Sequence, residues 1–202
     1  MSIFSLQKCI MYDKVIQFIK SRISISQEEL ERTFVYSQPK DFRKGEYLLR
    51  IGQNCRFIGF LNKGLIMTSI IDNTGKEKAT GFIYEGCFFT YTEGLASDTP
   101  SHKNFKALED SETILLSKDD LAKIFKENPK FETLLNQMLA EEVRNLLMNE
   151  HTNKTLSLEE RYLNLEKLYP DAFQRIPLKY LADCLSIEAP SLSRLRKRLA
   201  GK

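Results

Sequence analysis

Apolar residues change their spacing twice along this chain, and each change marks a different kind of structure. In MYDKVIQFIK (11–20), Val15, Ile16, Phe18 and Ile19 sit among polar partners, which predicts a short amphipathic helix. Ser26-Gln-Glu-Glu29 is a capping box that opens a second helix, running to about Thr33, and Pro39 breaks the pattern. From Phe42 onward short apolar runs take over: YLLRI, FIGFL, LIMTSII, ATGFIY and FFTY. They are rich in β-branched and aromatic residues and are separated by turns at Gly45, Gly52, Gly64, Gly75 and Gly86. Strands at this spacing predict a β-sandwich or barrel, closing near Thr113–Leu116. Residues 70–76, IIDNTGK, predict a hairpin within it.

Helical spacing then returns. Ser117 to Asp120 caps a helix with Leu121, Ile124 and Phe125 on one face. Pro129 starts a longer one, in which Leu134, Leu135, Met138, Leu139, Val143, Leu146 and Leu147 recur at three- and four-residue steps. That stripe suits a helix packed on the β region, and equally a helix paired with its copy in a second subunit. Asn153-Lys154-Thr155 is a polar break and reads as a domain junction. Ser157 to Glu160 is another capping box, opening a helix with Tyr162, Leu163, Leu165 and Leu168 inward and ending at Tyr169-Pro170.

The segment Ile176–Lys202 predicts two short helices joined by a tight turn. Pro177 suits the first turn of the first helix. Ala182 is the small residue needed where two helices cross closely. Leu181, Leu185, Ile187, Leu192 and Leu195 fall at the offsets of a shared core, and Ser186 stands where the turn of a helix-turn-helix usually carries glycine. From Arg175 onward there are seven Lys/Arg against two acids, in a chain whose net charge is only +3. Positive charge concentrated at one end is the footprint of a nucleic-acid surface. A guanidinium fork can pair bidentately with a guanine edge, so Arg194 is the candidate base reader. Ser191, Ser193, Arg196, Lys197 and Arg198, with Lys179 on the preceding helix, are candidate phosphate contacts. One such helix reads only a few base pairs, so these modules work as two-fold pairs. That favours the second reading of the leucine-rich stripe, with double-stranded DNA and a second copy as partners.

Other classes find little support. The four cysteines (Cys9, Cys55, Cys87 and Cys184) are widely spaced, which predicts neither a disulfide framework nor a metal cluster. With His102 and His151 as the only histidines, a metal enzyme on a cupin-like roll lacks its ligands. The segment MSIFSLQKCIMYDK shows no basic stretch leading into an apolar one, and no apolar run approaches the ~18 residues of a membrane span. The sequence therefore predicts a cytoplasmic, non-enzymatic protein without a metal or other cofactor. The competing reading is a ligand-sensing or scaffold protein whose terminal helices bind another protein.

The order of parts resembles the Crp/Fnr family of bacterial transcription regulators. The resemblance rests on Lys63-Gly64-Leu65-Ile66, Asp72 to Glu77, Glu85-Gly86-Cys87-Phe88-Phe89, and Pro177 to Leu199. It implies an α+β chain: a cyclic-nucleotide-binding-like jelly roll (double-stranded β-helix) with N-terminal helices over 1–128, a connecting and dimerisation helix over 129–152, and a helix-turn-helix domain over 153–202. It also implies a dimeric DNA-binding regulator, with RNA polymerase a further candidate partner. Relatives that bind cyclic AMP carry Gly-Glu and Arg-Ser pairs in a phosphate cassette. The ungapped positions here are Thr90-Tyr91 and Ser101-His102, and no arginine occurs between Arg56 and Arg144. Lys103 and Lys106 lack the planar fork. The chain is thus expected not to take cyclic AMP, and its effector is left open. Phe82, Tyr84, Phe88, Phe89 and Tyr91, with Ser101 and His102, are either core or the lining of an aromatic pocket. Relatives follow the second terminal helix with a β-hairpin wing, for which little sequence remains after Leu199.

Overall fold

The computed structural model describes residues 3–168 and 172–200. The chain divides into two compact units: one of residues up to Thr68 together with Phe82–Met138, the other of Ser69–Gly81 together with the chain from Leu139 onward.

The first unit opens with α1 (Ile3–Lys20) and α2 (Gln27–Phe34). Helix α1 is longer than the spacing from Met11 predicts. The capping box at α2 is present in full: the Glu29 N–H donates to Ser26 Oγ at 3.2 Å, and Glu29 Oε2 accepts from the Ser26 N–H at 2.7 Å. Eight strands follow: β1 (Ser37–Phe42), β2 (Tyr47–Leu49), β3 (Phe57–Lys63), β4 (Ile66–Ile71), β5 (Glu77–Ile83), β6 (Phe88–Phe89), β7 (Asn104–Ala107) and β8 (Ser111–Ser117). They form two four-stranded sheets, β1-β8-β3-β6 and β2-β7-β4-β5, the jelly-roll arrangement. Pro39 does not end a pattern, as its sequence position suggests. It lies inside β1, which is tolerated because β1 is an edge strand and one side of it needs no N–H donor.

Period-two alternation assigns the strand side chains to two cores. Leu61 and Phe89 point into the roll with Leu49, Cys55, Ile66, Tyr91 and Phe105. Their neighbours Phe60 and Phe88 point the other way, against α1 and α2, where Tyr12, Val15, Ile19, Leu30 and Ile114 are buried. The Phe60 and Phe88 rings meet edge-on at 4.9 Å. Gly59 is required beside them, since a Cβ there would sit 2.3 Å from the Phe89 ring. A short helix absent from the sequence pattern, α3 (Thr92–Ser97), follows β6. Helix α4 (Lys118–Glu127) is capped by Ser117, whose Oγ accepts from the Asp120 N–H at 3.0 Å.

Helix α5 (Lys130–Thr155) follows. Its first turns close the outer core through Phe131 and Leu134. The polar run at 153–155 is no break but the last turn of α5. Lys154 pairs with Glu150 at 2.6 Å, and Thr155 Oγ1 donates to the His151 carbonyl at 2.9 Å. Polar residues with such i,i+4 partners continue a helix well. No helix among the described residues is long and apolar enough to cross a membrane.

The second unit holds the β4–β5 hairpin turn and the last helices: α6 (Leu158–Leu168), α7 (Ala172–Arg175), α8 (Leu178–Cys184) and α9 (Ala189–Ala200). The hairpin forms as predicted. Asp72 Oδ1 accepts from Thr74 N, Thr74 Oγ1 and Lys76 N at 2.8, 2.7 and 3.0 Å. The Ser157–Glu160 box also forms, with Ser157 N donating to Glu160 Oε2 at 2.8 Å. Tyr169-Pro170 lies outside the described residues, as does any wing beyond Ala200.

Candidate nucleic-acid interface

The interface is built on the close packing of α8 and α9. Ala182 is 1% exposed and leaves room for the second helix to approach. Leu181, Leu185, Leu192 and Leu195 are buried around it, and Ile187 is half-buried. The turn between the helices is a Schellman motif. Ser186 takes the left-handed conformation at φ +57°, its N–H donates to the Asp183 carbonyl at 2.9 Å, and the Ile187 N–H donates to the Ala182 carbonyl at 3.0 Å. Serine thus does what glycine does at lower strain.

The apolar line Leu192–Leu195–Leu199 fixes which residues of α9 face out. At about 100° per residue, Arg194 and Lys197 lie across from that line, and both are exposed. Arg194 Nη2 donates to Ser191 Oγ at 3.0 Å, so the two groups share one side. Ser191 and Ser193 are half-buried. Lys179 is exposed on α8, with its Nζ 5.7 Å from the Tyr180 ring centroid. Arg196 is exposed, whereas Arg198 is occupied by α6. Arg198 Nη2 lies 3.0 Å from Glu159 Oε2. Sequence spacing gave no sign of that pairing, because its partners are 39 residues apart in the chain. On the far side of α8, burial and then the Asp183 charge push the Cys184 thiol up to about 12, so it is a poor nucleophile.

The stripe on α5 divides along its length. Leu134 is buried, and Leu135, Met138 and Leu139 are half-buried. Val143, Leu146, Leu147 and Met148 are each more than half exposed, an uncovered apolar face on the second half of the helix.

The aromatic residues of the roll do not line one space. Phe89 and Tyr91 are buried in the roll interior, while Phe88 packs outside it. Phe82 and Tyr84 are half-buried on either side of Ile83, which packs inward. At the positions that correspond to the phosphate cassette, polar groups are satisfied internally. Thr90 Oγ1 donates to the Phe57 carbonyl at 2.7 Å, and Ser101 Oγ donates to the Lys103 carbonyl at 2.7 Å. Tyr91 Oη is 2.6 Å from Glu93 Oε2 and 2.6 Å from His102 Nδ1. The hydrogen bond to the Glu93 carboxylate raises the Tyr91 pKa, so the phenol keeps its proton and donates it to Glu93. Glu93 has no spacing signal and was not among the predicted site residues.

Residues 39–128 match the model of the cyclic nucleotide-binding domain family. Among solved structures the chain is similar to FixK2 from Bradyrhizobium japonicum, with a TM-score of 0.70 and 17% identity over 82% of this chain and 85% of that one. It is similar to the catabolite activator protein of Thermus thermophilus, with a TM-score of 0.57 and 18% identity over 88% and 85%. A third likeness is to a protein described as a transcriptional regulator of the Crp/Fnr family from Eubacterium rectale, with a TM-score of 0.68 and 12% identity over 87% and 84%. No curated protein matches the sequence. These likenesses show a shared fold: residues 39–128 match the cyclic nucleotide-binding domain family, and the chain as a whole is similar in fold to these solved structures.

Proposed function

We propose that this chain is a sequence-specific, dimeric DNA-binding transcription regulator of the Crp/Fnr type, with α8 and α9 as its helix-turn-helix. The observation that carries the reading is the orientation of α9. Leu192 and Leu195 are buried against α8 while Arg194 and Lys197 stand exposed on the opposite side. Such a helix presents a guanidinium to base edges and an ammonium to phosphates when it enters the major groove. Ser191, Ser193 and Lys179 supply further phosphate contacts. The uncovered apolar half of α5 pairs with its copy and sets two recognition helices at the spacing of a two-fold operator. The protein works in the cytoplasm, as a regulator rather than an enzyme.

The roll does not take cyclic AMP in this reading. The cassette positions hold no arginine, and Tyr91, Glu93 and His102 bond one another there. An anion facing the Glu93 carboxylate meets repulsion rather than a bidentate partner.

Selection of bound sequences from a random duplex pool tests the function. A preferred, two-fold-related site is expected, with binding that weakens steeply as salt rises. Arg194→Ala should relax preference at one base pair per half-site by ~1–3 kcal/mol. Recovery of no preferred sequence at low salt would sink the proposal. Calorimetric titration with cyclic AMP should show no binding heat.

A further inference from the structure

The helices outside the roll do not close completely over its outer sheet. A chamber of about 80 Å³ remains between that sheet and helices α1, α2, α4 and α5. Ile58, Phe88 and Leu116 of the sheet line one side, and Phe131 and Leu134 of α5 line another. Its two polar lining residues are Thr33 and Ser37, and both hydroxyls are engaged. Thr33 Oγ1 donates to the Glu29 carbonyl at 2.9 Å. Ser37 Oγ donates to the Phe34 carbonyl at 2.9 Å and lies 3.0 Å from Tyr12 Oη. A water would fit by size, but it needs two to four polar partners that this lining does not supply. Apolar voids stay dry and accept apolar guests; one of about 150 Å³ takes benzene or xenon. A wider hollow of about 360 Å³ adjoins the chamber, with Thr33 and Ile124 in both linings. The charged groups of that hollow are paired: Arg32 with Glu28 at 2.6 Å, Glu29 with Lys130 at 2.8 Å, and Glu127 with the Tyr36 hydroxyl at 2.6 Å. Neither lining therefore presents a spare charge to an ionic ligand. Leu121, Leu135 and Met138 are half-buried and form the rim between α4 and α5. Met138, unbranched and flexible, can yield to a guest.

We infer that this chamber, rather than the roll interior, is an effector site for a small uncharged apolar molecule. The roll interior is taken by packed side chains, Leu49, Leu61, Phe89 and Phe105 among them. The effector role rests on the dimeric reading above, because the helix that walls the chamber also carries the uncovered Val143 and Leu146. An empty void weakens the packing of the first turns of α5 in proportion to its volume. A guest binds the packed arrangement of those turns better than a loosened one and so favours it. The packed helix is the form that pairs with a second copy, which links ligand to dimer.

The test is methyl NMR of the full chain with xenon, benzene and benzoate. Xenon and benzene should shift the methyls of Ile124, Leu134, Leu135 and Met138 saturably and leave those of Leu49 and Leu61 unmoved. Benzoate, the same ring with a carboxylate, should shift none of them, since the chamber has no partner for its charge. Leu135→Phe and Leu121→Phe add bulk at the half-buried rim, and each should abolish the benzene response. Shifts confined to the roll, equal binding of benzoate, or an unchanged response in both variants would overturn the inference. If neither variant folds, the methyl map of the unmodified chain decides alone. Sedimentation equilibrium reads the effector role. Benzene should lower the dimer dissociation constant about fivefold or more, and an unchanged or raised constant would overturn that role. None of these measurements uses DNA. A chain that takes benzene and dimerises more tightly, yet selects no preferred duplex, would refute the DNA reading and leave the chamber standing.

Discussion

Lys78 Nζ lies 3.1 Å from Asp183 Oδ1, an ion pair between the β4–β5 hairpin and the first helix of the α8–α9 pair. The other Asp183 oxygen accepts from the Ala79 N–H at 3.3 Å. The Asp183 side chain is 4% exposed and that of Lys78 is 38% exposed. A carboxylate this enclosed depends on both donors. Asp183→Asn puts an amide donor toward one of them and is expected to lower stability by about 1–3 kcal/mol in urea denaturation. The pair also has a pH signature. The hydrogen bond to Asp183, and then its charge, raise the Lys78 pKa. A raised lysine contributes fully below its unfolded value of about 10.4 and loses that contribution as pH rises through its folded value. The difference in melting temperature between the unmodified chain and Lys78→Met should therefore shrink to nothing in that alkaline range.

Acid should act at a different place. Lys130 Nζ donates to Glu29 Oε1 at 2.8 Å, and the Ser26 N–H donates to Oε2 at 2.7 Å; these bonds hold the Glu29 pKa at about 2. A depressed carboxylate contributes above its unfolded pKa, about 4.3, and loses that contribution as pH falls through the folded value. Urea midpoints measured between about pH 5 and pH 2 should fall less steeply for Glu29→Gln than for the unmodified chain. Equal slopes would mean that the bond network does not persist in solution.

Ser186 offers a backbone test. At φ +57° it sits where a Cβ is strained by about 1–2 kcal/mol. Glycine removes that strain but loses more chain entropy on folding, so Ser186→Gly is expected to stabilise by about 0.5–1 kcal/mol. Ser186→Val should destabilise by about 1–2 kcal/mol, because a β-branched side chain is poorest in this conformation. Urea denaturation of the two variants side by side distinguishes the signs.

The exposed half of α5 bears on assembly. Val143 and Leu146 are 56% and 59% exposed, while Leu134 on the same helix is 4% exposed. Val143→Glu with Leu146→Glu should leave the fold intact and raise the dimer dissociation constant by about tenfold or more per charge. Sedimentation velocity reads the change in mass. Duplex affinity should fall with it, since half-sites are then bound singly.

Much of this architecture was legible because it is written in local periods. Period-two runs between Gly45 and Gly86 mark the roll, capping boxes at Ser26 and Ser157 mark helix starts, and Ala182 with its spaced leucines marks the crossing of two helices. Each of these signals lies within one element or its neighbour. Two local readings went astray because a single residue type admits more than one use. Pro39 breaks a helix but is tolerated at a sheet edge, and the run at 153–155 is polar yet continues α5 through its i,i+4 partners.

Sequence alone determined that a basic helix follows a glycine-punctuated roll, because charge and hydropathy are properties of the chain in order. Only the tertiary structure decided which of those charges are spoken for. Arg198 meets Glu159 and Lys78 meets Asp183 because folding brings distant segments together, and a one-dimensional pattern carries no distance between them. The same holds for the trio at Tyr91, Glu93 and His102, where two side chains converge on one hydroxyl only once the chain after Tyr91 has folded back on it.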